Sequence, residues 1–367
     1  MSQVGPQAVS SAAAMTRSHL KTVRIGDRLV GDGQRVLIVA EAGVNHDGSL
    51  DKALRLVDVA ADVGADVVKF QMFRAAELAT ATADTAAYQK ASGAPTQREM
   101  LARLELTDAD FQRIVAQCRA RSIGFLATPF SLPDVDRLAA LEVQAIKIAS
   151  TDLNNVPLLR RAADTGLPLI VSTGASLPEE IGAAVRRLRS WGAGDRLLLL
   201  HCISGYPAPL EAANLRAIAT LRRKYRVPSG FSDHTESTEA AGWAVAVGAC
   251  VLEKHFTLDR QARGPDHAMS LDPGQLAAYV ATARAAEAAL GSGTLGMSAL
   301  EADVRAVARK SLVAAQSIPA NTVFTAGLLT VKRPGGGIPP DQFDAVLGRH
   351  AAVDIAADTV LTWDLIR

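Results

Sequence analysis

The sequence predicts an α/β fold: a (β/α)₈ TIM barrel followed by a small, mostly-β domain. From about Val36 the chain repeats one unit eight times, a short apolar strand, a polar or glycine-marked turn and an alanine-rich amphipathic helix. The residue pattern changes after residue 308, where short segments of β propensity are separated by Pro319 and by Pro334 with three glycines. No Gly-x-Gly-x-x-Gly motif follows the first strand, which argues against a doubly wound dinucleotide-binding sheet.

Eight segments have the composition of buried parallel strands. Several are continuous apolar runs rather than alternating ones, as expected of parallel strands that are covered on both sides. The predicted strands are Val36–Glu41, Asp66–Gln71, Gly124–Thr128, Ala145–Ala149, Leu169–Ser172, Leu197–His201, Ser229–Ser232 and Cys250–Lys254. Helices are predicted between them, for example Leu50–Val63 behind the N-cap Ser49 and Glu179–Ser190 after Pro178.

The chain divides into four predicted regions. Residues 1–22 are rich in Ser, Ala, Gln and Thr and lack an apolar signal-peptide core, which predicts a disordered tail rather than a secretory signal. We assign residues 23–290 to the barrel. Residues 291–308, with Gly-Ser-Gly-Thr and mixed charge, form a predicted linker into a short helix, and residues 309–367 form the small domain.

Composition and charge exclude several classes of function. The formal net charge is +1, which gives no indication of a nucleic acid or a membrane surface as partner. No run of about eighteen apolar residues is present, so a transmembrane helix is not expected. Cys118, Cys202 and Cys250 show no Cys-x-x-Cys spacing and fit reduced thiols. We therefore expect a cytoplasmic protein.

Nearly every predicted strand ends in polar side chains. In strand order, these are Glu41, Asn45 and His46; Lys69 and Gln71; Thr128 and Ser131; Lys147 and Ser150; Ser172 and Thr173; His201, Cys202, Ser204 and Tyr206; Ser232, Asp233 and His234; and Glu253, Lys254 and His255. Because barrels of this kind carry their chemistry at the C-terminal ends of the strands, we expect these side chains to form the site.

Lys69 and Lys147 stand inside apolar strands, where an ammonium group is costly unless it meets an anion or loses its charge. Three interpretations are open: structural ion pairs with Glu41 or Glu253, a site for a phosphate or carboxylate, or a Schiff-base lysine. Hydroxyl groups that would assist an anion site belong to Thr128, Ser150, Ser172 and Ser232. Two lysines among hydroxyl donors favour the anion site.

His234 and His255 end two neighbouring predicted strands. Adjacent strands lie about 5 Å apart, so two imidazoles at their ends can share one metal ion, with Glu41 and Asp233 near them. Either histidine alone is more typical of a hydrogen-bonded core or loop residue than of a metal ligand. Two imidazoles with oxygen ligands and water suit a labile Mn²⁺, Mg²⁺ or Zn²⁺ better than a closed structural zinc site.

Four further residues are less specific signals. His46 and His201 are compatible with support of the site or with substrate contact. Asp266, in Gly-Pro-Asp after the eighth strand, is either a plain turn residue or a sugar ligand on a rigid turn at the barrel mouth. Arg333 precedes Pro334 and three glycines and lies in a predicted loop of the small domain.

The chain resembles the sialic acid synthase family from about residue 23 to its end. The segments that carry the resemblance are AEAGVNH from Ala40, GADVVKFQ from Gly64, ATPF from Ala127, KIAS from Lys147, STG from Ser172, LHC from Leu200, YP from Tyr206, GFSDHT from Gly230, EKHF from Glu253 and GPD from Gly264. VKRPG, from Val331, resembles the antifreeze-like (SAF) domain of that family. Each segment is modest alone, but the set in this order is highly specific.

The resemblance implies a role for each candidate residue. The phosphoenolpyruvate-binding set would be Lys69, Thr128, Lys147, Ser150, Ser172 and Ser232. The metal ligands would be His234 and His255, and the groups around the acceptor sugar would be Glu41, Gln71, Tyr206 and Asp266. The resemblance also implies a domain-swapped homodimer in which Arg333 of the small domain completes the neighbouring site.

The activity implied by the resemblance is a metal-dependent transfer, with Mn²⁺ or Mg²⁺, that joins phosphoenolpyruvate to N-acetylmannosamine and gives N-acetylneuraminate. One departure concerns the acceptor, because Ser204 stands where typical bacterial N-acetylneuraminate synthases carry Asn. The Ser-x-Tyr-Pro-Ala-Pro form also resembles relatives that make legionaminic or pseudaminic acid or act in surface-polysaccharide assembly. Synthesis of the 9-phosphate is a further alternative, and a Schiff-base aldolase or a non-catalytic carbohydrate-binding barrel is more distant.

Overall fold

The computed structural model describes residues 21–84 and 96–367, which fall into two compact units that divide after Gly291. The tail predicted for residues 1–22 lies outside the described residues except for Lys21 and Thr22, and Thr22 begins the first strand. Across the described residues, every helix is too short or too polar to span a bilayer.

The first unit alternates strands with helices. Its strands are β1 Thr22–Ile25, β2 Arg28–Gly31, β3 Leu37–Gly43, β4 Val67–Met72, β5 Gly124–Pro129, β6 Ile146–Ile148, β7 Leu169–Ser172, β8 Leu197–Cys202, β9 Ser229–Asp233 and β10 Val251–His255. Its helices are α1 Leu50–Asp62, α2 Ala75–Leu78, α3 Gln97–Ala102, α4 Asp108–Ala120, α5 Leu132–Ala140, α6 Val156–Asp164, α7 Pro178–Ser190, α8 Arg216–Tyr225, α9 Ala240–Ala246 and α10 Pro273–Leu290.

Strands β3 to β10 form one parallel sheet of eight strands that curls into a nearly closed barrel. The first and last of them pair directly, with His255 beside Glu41, while β5 and β6 are the two ends of the ladder. Each of the eight predicted strands overlaps one of these strands, so the predicted barrel is confirmed.

The two helices whose starts were predicted begin at or next to the predicted residue, and the local sequence explains why. Ser49 caps α1 by accepting a hydrogen bond from the Lys52 amide, and Pro178 occupies the first turn of α7. Leu56, Val57 and other apolar residues of α1 are buried on the face that covers the strands. The larger part of the hydrophobic core therefore lies between the barrel strands and the helices that surround them.

The hairpin of β1 and β2 was not predicted. Its strands pair antiparallel, and Val23, Ile25 and Val30 are buried in one apolar cluster with residues of the barrel strands such as Leu37 and Leu198. These barrel residues stand at the beginnings of their strands. The hairpin therefore covers the N-terminal end of the barrel interior, and the polar side chains lie at the opposite end.

The second unit contains one regular antiparallel pair, β11 Ser311–Ala314 with β12 Leu329–Lys332, and two helices, α11 Ala302–Ala308 and α12 Phe343–Val346. Isolated bridges join other segments of this unit, such as the one from Ile318 to Ile355. Leu312, Phe324 and Leu361 belong to a separate apolar core of this unit. The mostly-β character is thus carried by bridges and turns as well as by strands.

Candidate active site

A cavity of about 560 Å³ opens at the C-terminal ends of the barrel strands. The predicted site residues that line it are Glu41, Lys69, Gln71, Thr128, Lys147, Ser150, Ser172, Tyr206, Ser232, His234 and His255. Asp266 is absent from this lining but is buried beside it, with Oδ2 at 3.9 Å from Nδ1 of His255. Arg333 is an exposed residue of the second unit.

The strand register brings Glu41 and Lys69 together as an ion pair. Glu41 on β3 stands opposite Lys69 on β4, so both side chains point into the barrel. The Lys69 ammonium lies 2.7 Å from Oε2 of Glu41 and 3.7 Å from Oε2 of Glu253. It also donates to Oγ1 of Thr128 at 3.1 Å. All of these side chains are buried.

Glu253 links this pair to the second lysine. The Lys147 ammonium lies 3.5 Å from Oε1 of Glu253 and donates to the carbonyl of Ile148 at 3.1 Å. Ser232 donates its hydroxyl proton to the same Glu253 oxygen at 3.0 Å. Both lysines therefore make the glutamate ion pairs of the first interpretation, and these pairs stand at the wall of a cavity large enough for a ligand.

Burial and pairing shift the pKa values of Glu41 and the two lysines in different directions. Burial raises the pKa of Glu41 to about 7, which the Lys69 ammonium only partly offsets. Burial alone would lower the pKa of Lys69, but the Glu253 and Glu41 carboxylates outweigh it and raise that pKa. Burial lowers the pKa of Lys147, and Glu253 offsets only part of that effect. The two lysines thus differ in how firmly they hold their proton.

The hydroxyl groups of the set differ in their partners. Ser150 accepts a hydrogen bond from the Gly174 amide at 2.9 Å, whereas the Ser172 hydroxyl is buried and has no protein partner among the described residues. A methyl group at Gly174 would lie only 2.4 Å from Oγ of Ser204 and 2.9 Å from Oγ of Ser150. Glycine is therefore required there for these hydroxyl groups to stand so close, and an unpartnered buried hydroxyl is a group that a ligand can satisfy.

His234 and His255 stand together at the mouth of the barrel, with ring centroids 5.4 Å apart. His234 Nδ1 lies 2.8 Å from the Ile203 carbonyl, so this nitrogen carries a proton. Burial alone would lower the pKa of His234, but the Cys202 side chain and this carbonyl outweigh it and raise that pKa. A metal ion at Nε2 would therefore have to displace a proton from the ring. His255 Nδ1 is buried without a hydrogen-bond partner in the described part of the chain. Burial, reinforced by His234, lowers the pKa of His255 well below its usual value, which keeps the ring neutral.

Oxygen ligands face the same space. A methyl group at Gly43 would lie 3.4 Å from Oε1 of Glu41, 3.4 Å from Oδ2 of Asp266 and 3.5 Å from Nδ1 of His255, so these three atoms converge on the room left by a missing side chain. In residues 21–84 and 96–367, no group of three or more His, Cys, Asp or Glu residues has the geometry of a metal site. The residues present fit a divalent ion held by neutral imidazoles and completed by water and oxygen donors.

His201 and His46, the two other candidate histidines, hydrogen-bond to the backbone of the protein. His201 Nε2 lies 2.8 Å from the Ala213 carbonyl, and its ring stacks on Phe231. His46 Nδ1 accepts a hydrogen bond from the Gly48 amide. Neither histidine lines the cavity, so of the two open interpretations their contacts favour support of the site.

Several lining residues were missed or left unassigned by the sequence analysis. Beyond the set of predicted site residues, the lining comprises Cys202, Ser204 and Glu253, which are among the polar strand ends expected at the site, and seven residues that were not predicted: Leu78, Gln97, Leu101, Phe130, Ala149, Thr151 and Asp152. The polar strand end that contains Glu253 was a usable signal for that residue. Leu78 and Leu101 lie on short helices in a connection between two strands, and nothing in their local sequence distinguishes them from core residues.

The sequence profile of the NeuB family matches residues 56–295, and that of the SAF domain matches residues 309–367. The chain is 39% identical to the N,N'-diacetyllegionaminic acid synthase of Legionella pneumophila, across 92% of this chain and 96% of that protein. It is 33% identical to the human N-acetylneuraminate-9-phosphate synthase, across 92% of this chain and 95% of that protein.

A solved structure has the same fold. The N-acetylneuraminic acid (sialic acid) synthetase of Leptospira borgpetersenii, crystallised in complex with citrate, superposes with a TM-score of 0.69 at 35% identity. The match covers 78% of this chain and 95% of that one. The similarity thus reaches across the barrel that holds the cavity.

Proposed function

Because the chain belongs to the NeuB family and ends in a SAF domain, we propose that it is a nonulosonic acid synthase that joins phosphoenolpyruvate to an N-acylated amino sugar. The observation that carries the proposal is the cavity in which two buried lysines and four hydroxyl groups stand beside two neutralisable imidazoles. Anion-binding and aldehyde-activating groups are thereby available in one enclosed space.

Phosphoenolpyruvate would bind in the deep part of the cavity. Lys69 and Lys147 would hold its phosphate and carboxylate, with Thr128, Ser150, Ser172 and Ser232 as hydrogen-bond partners. In the ligand-free protein Glu41 and Glu253 supply the counter-charge for these lysines. Anion binding would shift this balance, and the raised pKa of Glu41 makes it the carboxylate that can become neutral near pH 7.

His234 and His255 would hold the divalent metal, Mn²⁺ or Mg²⁺, which when bound supplies Lewis-acid polarisation of the aldehyde oxygen. Gln71, Tyr206 and Asp266 would orient the sugar above phosphoenolpyruvate. Tyr206 is well placed for this, because its ring lies 4.2 Å from that of His234 and both line the cavity.

The reaction balances with water as the third reactant. The enol carbon C3 of phosphoenolpyruvate forms a bond to the aldehyde carbon of the open-chain sugar, and the aldehyde oxygen becomes a hydroxyl group. Water adds at C2, and the C2–O bond then breaks and releases phosphate. Glu41, with a pKa of about 7, is the residue that we assign to the proton of that water.

The acceptor would be an N-acetylhexosamine, with N-acetylmannosamine giving N-acetylneuraminate. The diacetamido hexoses that lead to legionaminic and pseudaminic acid, and the phosphorylated acceptor of the 9-phosphate synthases, are the alternatives. We further propose a cytoplasmic enzyme that acts as a domain-swapped homodimer, in which Arg333 of the partner subunit completes the sugar site.

Phosphate release from phosphoenolpyruvate tests the proposal. The purified protein would be assayed with Mn²⁺, and in parallel with EDTA, against N-acetylmannosamine, its 6-phosphate and the diacetamido hexoses. We expect metal-dependent release that requires one of these sugars. Absence of release with every sugar, from a folded and metal-loaded protein, would contradict the proposed activity.

A Schiff-base aldolase that acts on pyruvate is the second candidate, favoured by one observation. Burial lowers the pKa of Lys147, as a nucleophilic lysine requires. Borohydride reduction in the presence of pyruvate distinguishes the two functions. An adduct at Lys147 would support the aldolase, whereas the synthase should give none.

A further inference from the structure

We infer that Asp233 and Lys254, a buried ion pair outside the cavity, are positioning residues for the metal site. The pair holds the backbone beside His234 and thereby fixes the spacing between His234 and His255. This inference deepens the proposed function and rests on its metal site. The proposed reaction itself makes no use of either residue.

The pair lies on the outer face of the two strands that carry the histidines. Asp233 on β9 and Lys254 on β10 stand opposite one another in the strand register, and Lys254 Nζ lies 3.1 Å from Oδ2 of Asp233. The residues on either side of them all line the cavity: Ser232, His234, Glu253 and His255. Because successive side chains of a strand point to opposite faces, the pair points toward the surrounding helices. The Asp233 carboxylate, which was expected near the metal ion, is therefore directed away from it.

The pair is sealed from water on the helix side. The side chains of Lys254 and Asp233 are 1% and 0% exposed. The Lys254 ammonium lies 5.4 Å from the ring centroid of Tyr279 on α10, which is itself fully buried. A buried ion pair stabilises a fold no better than well-packed apolar residues of similar size, so its role here is to fix one conformation.

Both members of the pair bind the backbone of Thr235, the residue directly after His234. Oδ1 of Asp233 accepts a hydrogen bond from the Thr235 amide at 2.8 Å. Lys254 donates a hydrogen bond to the Thr235 carbonyl. The chain just beyond His234 therefore cannot shift without breaking a buried, charge-assisted hydrogen bond.

This backbone sets the position of the His234 ring. The His234 carbonyl accepts a hydrogen bond from the Ala208 amide at 2.9 Å, and Nδ1 lies 2.8 Å from the Ile203 carbonyl. The loop after β8 thus holds His234 on one side, and the ion pair holds it on the other. His255 directly follows Lys254, so the pair also ties the strand of the second imidazole to that of the first. A metal ion is sensitive to this spacing, because its ligand distances vary by only about 0.2 Å.

Three variants separate the hydrogen bonds to Thr235 from stability. Asp233→Leu/Lys254→Met removes both bonds and leaves no buried charge. Its urea midpoint should therefore stay near that of wild type, while its Mn²⁺ dissociation constant rises about tenfold to a hundredfold. Asp233→Asn keeps both bonds but leaves the buried Lys254 without a carboxylate, so it should unfold at a lower urea concentration and still bind Mn²⁺ as tightly as wild type. Asp233→Asn/Lys254→Met keeps one bond, and its Mn²⁺ affinity should be intermediate.

Mn²⁺ binding is measured on the whole protein, without substrates, by the loss of the free Mn²⁺ resonance signal. Calorimetry without metal follows phosphoenolpyruvate affinity, which none of the three variants should change. Arg222→Met/Asp32→Leu is the matched control, because it removes an ion pair of 2.9 Å between α8 and the residue after β2. The control should leave Mn²⁺ binding unchanged.

An Mn²⁺ affinity that follows the number of hydrogen bonds to Thr235 would support the inference. An affinity that follows the urea midpoint, or that is equal in all folded variants, would overturn it and leave the proposed function standing. If Asp233→Leu/Lys254→Met does not fold, the comparison of Asp233→Asn/Lys254→Met with Asp233→Asn decides, because these differ by one such bond. His255→Gln completes the series: wild-type protein that binds Mn²⁺ no more tightly than this variant would overturn both the metal site and the inference.

Discussion

The Lys69 ammonium lies 2.7 Å from Oε2 of Glu41, and both side chains are almost completely buried at the wall of the cavity. Their positions opposite one another on adjacent strands make this contact a direct result of the barrel register. A buried pair of this kind is costly to break, because the remaining partner keeps its desolvated charge.

Lys69→Met should therefore destabilise the protein by about 3–5 kcal/mol, since it leaves Glu41 and Glu253 with one lysine fewer. The double variant Lys69→Met/Glu41→Gln should lose less than the sum of the two single variants, because neither partner is then left charged alone. Urea unfolding of the four proteins measures this. Strict additivity would show that the two groups do not depend on each other.

Lys147→Ala should raise the dissociation constant for phosphoenolpyruvate by about tenfold to a hundredfold, because one charge-assisted hydrogen bond is lost. Titration calorimetry without the sugar isolates this effect from turnover. Lys224→Ala, on the exposed surface of α8, is the control for loss of a positive charge. Unchanged affinity in a folded Lys147→Ala protein would refute the assignment of Lys147 to the anion site.

The rate should depend on pH through Glu41. Its pKa is raised to about 7, so in the free enzyme the carboxylate form that accepts a proton grows as pH rises through 7 and is lost below it. We expect kcat/KM to fall about tenfold per pH unit below that value. Glu41→Gln should lower the maximal rate and also remove this slope. A slope that survives in Glu41→Gln would assign the titration to another group.

Removal of one imidazole should weaken metal binding without removing phosphoenolpyruvate affinity. His255→Gln should raise the Mn²⁺ dissociation constant at least tenfold, measured by the loss of the free Mn²⁺ resonance signal. His350→Gln, at an exposed position of the second unit, is the matched control. Tight Mn²⁺ binding by His255→Gln would place the metal elsewhere.

Subunit mixing tests the proposed role of Arg333. Arg333→Ala and Lys147→Ala should each be nearly inactive alone. If Arg333 acts in the neighbouring subunit, a dissociated and reassociated mixture should recover roughly a quarter of wild-type activity, because half the dimers are mixed and each contains one intact site. If Arg333 acts within its own subunit, the mixture should stay inactive.

Most of the barrel could be predicted because most of its strands combine an apolar run with a polar end. The same pattern located Lys69, Lys147, His234 and His255, since side chains at the ends of parallel strands must meet at one face. The hairpin of β1 and β2 was missed because four-residue strands carry too little periodicity to be recognised.

The cavity-lining residues Leu78 and Leu101 could not be predicted for a different reason. Leu78 and Leu101 belong to short connecting helices, where an apolar residue is as typical of a core as of a cavity. Only the packing of α2 against α3, in one apolar cluster with Phe130, decides which side of each helix meets the cavity. Glu253 shows the opposite case, because its polar strand end marked it as a candidate, although its contact with Lys147 is made across the barrel interior between strands that are not neighbours.

The hairpin that covers the N-terminal end of the barrel makes the interior a blind shaft with one opening. When two reactants bind at different depths and enter through the same opening, the deeper one has to bind first. Under the proposed function we expect the deeper reactant, phosphoenolpyruvate, to enter before the sugar. The order in which the substrates bind would then depend on the hairpin that closes the N-terminal end of the barrel, although no chemistry takes place at that end.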